Sequence, residues 1–193
     1  MKSKAMAISF CVTLAASLAT AGGAIKNSSK AVKTIRPEAT LLYVDYKSMI
    51  SQADAIFIGH PIKSLADTKG EIKTLSNGAY IQDYYSMRDI KITRVIKNND
   101  LKDMKSGNTI QILERAVIAN ISGQATRLIS EDYEELLSND KYIFFIDRTQ
   151  DGEYILFNGK YSKYNLLRRE KDEIGNKSIW KERVLKDYLK ELD

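Results

Sequence analysis

Tyr84-Tyr85-Ser86-Met87-Arg88-Asp89-Ile90-Lys91-Ile92-Thr93-Arg94-Val95-Ile96-Lys97 reads more clearly as a β-strand than any other stretch of the chain. Ile90, Ile92 and Ile96 share one parity, and Lys91, Thr93 and Val95 share the other. Successive side chains of a strand point to opposite faces, so this alternation separates an apolar face from a polar one. The adjacent pair Val95-Ile96 breaks it. A β-bulge near Arg94 accommodates the break and bends the strand sharply. A bent strand lets a small sheet curl until it pairs with its own far edge, and closure removes exposed edges.

Other strands flank this one. Ala55-Ile56-Phe57-Ile58-Gly59 is short and continuously apolar, and so is Tyr142-Ile143-Phe144-Phe145-Ile146. Runs of this kind are expected where both faces of a strand are buried. Thr109–Ile121 reads as one strand after Gly107-Asn108, and Tyr154–Phe157 follows the hairpin signal Asp151-Gly152. Tyr161–Leu167 is the last strand. Asp45–Ala53 reads as a short helix with Tyr46, Met49 and Ile50 on one face. Glu131–Leu137 predicts one or two helical turns, with Ser130 as N-cap and acidic residues in the first turn. From Ile179 to Leu192 the period becomes helical, with Trp180, Val184, Leu185, Tyr188, Leu189 and Leu192 on one face, capped by Ser178 or Asn176. The expected fold is mainly β: a five- to six-stranded OB-type Greek-key barrel, with a short inter-strand helix and a C-terminal amphipathic helix.

The N-terminus carries a different signal. Lys2 and Lys4 precede an uncharged stretch from Ala5 to Ile25, which ends in small residues. That order is that of a secretory signal peptide, with Ala19 and Ala21 in the small-residue positions and cleavage before Gly22. An uncleaved membrane anchor is the alternative, since the run approaches the ~20 residues that span a bilayer. The basic residues Lys26, Lys30, Lys33 and Arg36 beyond it argue against an anchor. The only cysteine, Cys11, lies inside the segment, and Phe10 before it does not suit lipidation. Cleavage would leave a mature chain without a thiol, which excludes disulfides, cysteine–zinc sites and thiol redox chemistry. The expected setting is extracytoplasmic, secreted or anchored to the outer face of the cytoplasmic membrane.

The chain is thus expected to divide into an export segment or anchor (1–24), a flexible linker (25–40), an OB-like barrel (41–167) and a C-terminal helix (168–193). About 170 residues beyond the segment suffice for one domain with its own core. Charged residues make up 28% of the chain and give a net charge of +5, but the two signs are interspersed. That pattern argues for a solvated surface and against a nucleic-acid groove.

Four segments in this order carry a resemblance: ADAIFIGH (Ala53–His60), DIKITRVIK (Asp89–Lys97), LSNDKYIFFI (Leu137–Ile146) and DGEYILFNGKY (Asp151–Tyr161). Together they are similar to small exported proteins of Gram-positive bacteria. Those resemble in turn the netrin-like module and the tissue inhibitors of metalloproteinases. The resemblance covers about residues 53 to 165 and implies an OB-type barrel outside the cytoplasm. It does not imply inhibition: the animal inhibitors chelate a protease zinc through an N-terminal cysteine, which a cleaved chain here would lack. Asn98 also stands where the bacterial pattern has glycine.

Catalytic motifs are absent. A Ser-His-Asp or Cys-His site would have to use the single histidine, His60, which sits beside Pro61 at a strand end. There is no G-x-S-x-G and no phosphate-binding G-x-x-x-x-G-K-[ST]. Pairs such as Glu131-Asp132 and Glu134-Glu135 fit helix N-terminal charge better than acid–base chemistry. No cofactor and no metal site is expected. The expectation is a non-catalytic binding module for an unknown extracytoplasmic protein or cell-envelope ligand, touching membrane only through an uncleaved N-terminal segment. Tyr80, Tyr84, Tyr85 and Arg88 are its candidate ligand surface, with packing inside the barrel as their other reading. The alternative function is a secreted, nuclease-like hydrolase, which requires two or three carboxylates converging with an arginine in one cleft.

Overall fold

The computed structural model describes residues 32–36, 44–74, 81–130 and 133–189. The expected export segment, the expected cleavage point at Ala21 and Gly22, and Tyr80 lie outside the described residues. Among the described residues no helix is long and apolar enough to cross a membrane.

Five strands close into a barrel: β2 (Ala55–Pro61), β4 (Ile81–Asn98), β5 (Thr109–Glu114), β8 (Tyr142–Arg148) and β9 (Tyr154–Leu156). Around the ring the order is β2-β4-β5-β9-β8, and β8 pairs back onto β2. Every pairing is antiparallel except β5 with β9, which run parallel through Ile112↔Tyr154 and Leu113↔Ile155. This is the Greek-key ring of an OB-type barrel, and the expected fold class stands. Ala55, Phe57, Ile90, Ile92, Ile110 and Phe144 are among the side chains that fill the interior.

The bend in β4 comes from two irregularities. Opposite β2, the register skips Ile96 and then Thr93, on either side of the expected position at Arg94. The skip at Thr93 reverses parity, so Val95 packs into the barrel interior while Ile96 packs outside it. That accounts for two adjacent apolar residues in an otherwise alternating strand. Gly59 lies at this crossing, where an added Cβ would stand 2.6 Å from the Lys91 carbonyl oxygen.

The outer face of β2 and β8 is covered. Helix α1 (Tyr46–Gln52) and helix α2 (Asn176–Tyr188) lay Met49, Trp180 and Val184 against Ile56, Ile58, Ile143 and Phe145. The Asp45 side chain caps α1 by accepting from the Ser48 amide. Helix α2 starts three residues earlier than its period predicts. Its N-cap is Gly175, in the left-handed region (φ +54°), without a side-chain cap bond.

Several elements differ from the sequence reading. Thr109–Ile121 is two strands: Arg115 separates β5 from β6 (Ala116–Ile121), which leaves the barrel. Strand β6 forms a hairpin with β7 (Gln124–Ile129) through Ser122 and Gly123, both at positive φ. Strand β3 (Gly70–Thr74) lies in a polar stretch without an alternating pattern and pairs with the first half of β4. In the expected linker, β1 (Lys33–Ile35) runs parallel to β7, Ile35 packs on its core, and Arg36 donates to the carbonyls of Ser130 and Tyr133. The last strand shortens to β10 (Lys163–Asn165), preceded by a 3-10 turn at Gly159–Ser162.

The helix expected at Glu131–Leu137 does not form across the described Tyr133–Leu137. Its backbone N–H groups are drawn to tertiary acceptors. Glu134 N–H bonds Asp172, Leu136 N–H bonds Glu114, and Leu137 N–H bonds the Tyr142 hydroxyl. With its amides taken, the segment has no reason to coil on itself.

Candidate binding face and the buried charge network

The tyrosine–arginine surface separates by strand parity. From Tyr84 to Ile92, even positions of β4 face inward and odd positions outward. Tyr84 is buried with Ile81, Val117 and Leu128, and its hydroxyl shares a 3.2 Å hydrogen bond with Ser130 Oγ. Arg88 is 1% exposed and ion-paired to Glu114. Of the three described candidates, Tyr85 alone points out. Tyr84 and Arg88 therefore cannot serve as ligand groups beside Tyr85, because alternation along one strand sends them to the opposite face.

The outward residues of β4 nevertheless build a face. Tyr85 pairs across with Glu71 on β3, and its hydroxyl donates to the Glu71 carboxylate at 2.7 Å. Lys73 Nζ stands 5.4 Å from the Tyr85 ring centre. The bond to Glu71, then partial burial, then the charges of Glu71 and Glu153 push the Tyr85 hydroxyl up to about 12. One step along, Met87, Leu113 and Ile155 form a half-buried apolar row across β4, β5 and β9. The next pair is polar: Gln111 donates to Asp89 at 2.9 Å, and Lys63 stands 3.8 Å from Asp89. On the other side Arg115 is ion-paired with Asp83. No described helix covers this face, in contrast to β2–β8. The signal for it lay in the odd positions of the opening stretch, of which Tyr85 alone belongs to the expected ligand surface.

Inside, the end of the barrel next to β6 and β7 is closed by charge. Glu114 Oε2 accepts from Arg88, while Oε1 accepts from Tyr133 Oη (2.9 Å) and the Leu136 amide (2.7 Å). Arg88 also donates to the carbonyls of Lys63 (2.9 Å) and Leu136 (3.0 Å). Burial, then the nearby Glu114 carboxylate, pushes the Tyr133 hydroxyl well above its ordinary value. The Tyr133 ring lies under Lys163 Nζ at 4.9 Å. Lys163 is paired with Glu170, and Glu170 and Asp172 together hold Lys177; all four are buried. A buried charge persists only when paired, so these groups fasten the residues around 170 to the barrel end.

Carboxylates also converge near the surface. Arg168 bonds Glu134 and Asp140, each at 2.7 Å. Asp140 lies at one end of a cleft of about 310 Å³ between Ser64-Leu65 and the Glu135–Asp140 segment. Asn165 donates to the same Asp140 oxygen as Arg168, and the Lys171 amide donates to the second Glu134 oxygen. His60 is half-buried on β2, across from Lys91. Among the described residues no group of three or more His, Cys, Asp or Glu is placed to hold a metal ion.

Fold and site together define a closed, helix-backed five-stranded barrel with one outer face that no described helix covers. No protein-family model, no curated protein and no solved structure matches the chain.

Proposed function

We propose that the protein is an exported, non-catalytic binding module that meets its ligand on the outer face of β3, β4, β5 and β9. The observation that carries this reading is the asymmetry of the barrel's outside. Two helices bury the β2–β8 side, while the Met87–Leu113–Ile155 row and Tyr85 stay half-buried with no described helix over them. A modest apolar row rimmed by paired charges suits a protein or cell-envelope ligand: burying the row supplies affinity, and the rim sets orientation. Export rests on the N-terminal segment, and the netrin-like order of strand segments points the same way.

The hydrolase reading has one feature in its favour, the convergence of Glu134 and Asp140 on Arg168. The arrangement has the form of a brace: Arg168 ties both carboxylates together, and Asn165 and the Lys171 amide anchor them to the neighbouring backbone segment. The binding reading therefore stands first.

Met87→Glu with Leu113→Glu tests it. Proximity labelling from intact cells should show neighbours of the wild-type protein that the double variant loses, with Lys105→Glu, at a remote exposed turn, as control. An unchanged set of neighbours, with the variant folded, would refute the assignment of this face.

A further inference from the structure

Lys177, Asp172 and Glu170 form a cluster that the proposed binding face does not use. Lys177 is 0% exposed at the start of α2. Its Nζ stands 2.5 Å from Asp172 Oδ1 and 3.3 Å from Glu170 Oε2. Asp172 Oδ2 accepts the backbone N–H of Glu134 at 3.1 Å. Glu170 also receives Lys163, whose Nζ lies over the rings of Tyr133 and Tyr142. An amine, a carboxyl group, a hydrogen-bond donor on the far carboxyl oxygen and a second carboxylate thus share one site closed to water.

We propose that Lys177 and Asp172 are joined by an intramolecular amide bond, formed by the protein itself with Glu170 as proton carrier. An amine this close to one carboxyl oxygen is within near-attack range of the carboxyl carbon, about 3–3.5 Å. Proton transfer from Lys177 to the carboxylates leaves a neutral amine facing a protonated Asp172. Burial, followed by the charge of Lys163, lowers the Lys177 pKa and favours that neutral form. Nζ then attacks Cγ. The developing oxyanion on Oδ2 is held by the Glu134 N–H, in the manner of an oxyanion hole. Glu170 takes a proton from the attacking nitrogen and returns it to Oδ1. The Nζ–Cγ bond forms, the Cγ–Oδ1 bond breaks, and Oδ1 leaves as water with two of the three protons of the original ammonium. A buried ion pair becomes a neutral amide, which removes the cost of keeping two ions out of water. Asp172 is the partner rather than Glu170, because its oxygen stands nearer Nζ (2.5 Å against 3.3 Å) and Glu170 is also held by Lys163.

The test is the mass of the purified full-length protein under denaturing conditions, followed by tryptic mapping. The expected mass is lower than the amide-free chain by one water. Trypsin should cut after Lys171 and Lys181 but not after Lys177, giving the peptide 172–181 one water light. Asp172→Asn should still close, losing ammonia instead of water, and Asp172→Ala should restore both full mass and cleavage after Lys177. Glu170→Gln should slow closure and leave a mixture. A wild-type peptide that is cleaved after Lys177 at full mass overturns the proposal. So does a water loss with cleavage after Lys177 retained, since that marks a cyclic imide at Asp172 instead.

Discussion

Removing Glu114 should be among the most damaging single changes to this fold. Glu114 is 0% exposed and serves three donors: Arg88, the Tyr133 hydroxyl and the Leu136 amide. Glu114→Ala leaves the Arg88 guanidinium buried with only two carbonyl partners. Breaking a buried pair in this way costs about 3–5 kcal/mol. Stranding the Tyr133 hydroxyl and the Leu136 amide adds about 1–3 kcal/mol each, although the three losses overlap. The expected total is about 4–7 kcal/mol, a large share of the roughly 5–15 kcal/mol that holds an ordinary domain together. Glu114→Gln keeps an acceptor for Tyr133 and Leu136 and should lose less, about 2–3 kcal/mol. Arg88→Met with Glu114→Leu removes both charges and should recover most of the deficit, because two ions no longer need desolvation. Urea unfolding of the wild type, Glu114→Ala, Glu114→Gln, the single variants Arg88→Met and Glu114→Leu, and their double, followed by circular dichroism, gives the series and the cycle. A cost below about 1 kcal/mol for Glu114→Ala would refute the reasoning, as would a double variant no better than the sum of the singles.

Other outcomes follow from single contacts. Gly59→Ala forces a methyl against the Lys91 carbonyl oxygen at the bend of β4 and should cost about 1–3 kcal/mol, read as a lower unfolding midpoint. Trp180→Ala empties the seat of α2 on Ile56, Phe145 and Tyr164 and should cost about 3–5 kcal/mol. In the wild type, acrylamide should quench this single tryptophan poorly. Burial raises the Glu135 carboxyl pKa despite Arg127 nearby. A carboxyl raised on folding binds its proton more readily in the native state, so its contribution to stability falls as pH rises through the interval between the unfolded and folded pKa values. Glu135→Gln should thus melt higher than wild type at neutral pH, and the gap should close under acid conditions in a series of thermal melts. His60→Ala should leave the neighbours seen by proximity labelling unchanged.

The alternation in β4 was readable because a half-buried strand writes its two environments into alternate residues. Even the bulge was visible, since Val95 and Ile96 must face opposite sides of the barrel wall. Strand β3 was not readable: Gly70–Thr74 has Ile72 as its one apolar anchor and owes its existence to pairing with β4. The same holds for β1, whose partner lies about ninety residues away. At Glu131–Leu137 local signals favoured a helix, but acceptors from Glu114, Tyr142 and Asp172 outcompeted it.

From sequence alone come the mainly β fold, the bent strand and the C-terminal helix with its apolar stripe, because each is a property of neighbouring residues. Only the tertiary structure decided that Arg88 is buried against Glu114 and that Tyr85, Met87, Leu113 and Ile155 share one outer face. It alone brought Lys177 between Glu170 and Asp172. Those groupings depend on strand pairing and on which side of the barrel the helices cover. A local pattern can reveal that a residue will be buried, but its neighbours are set by how distant segments meet.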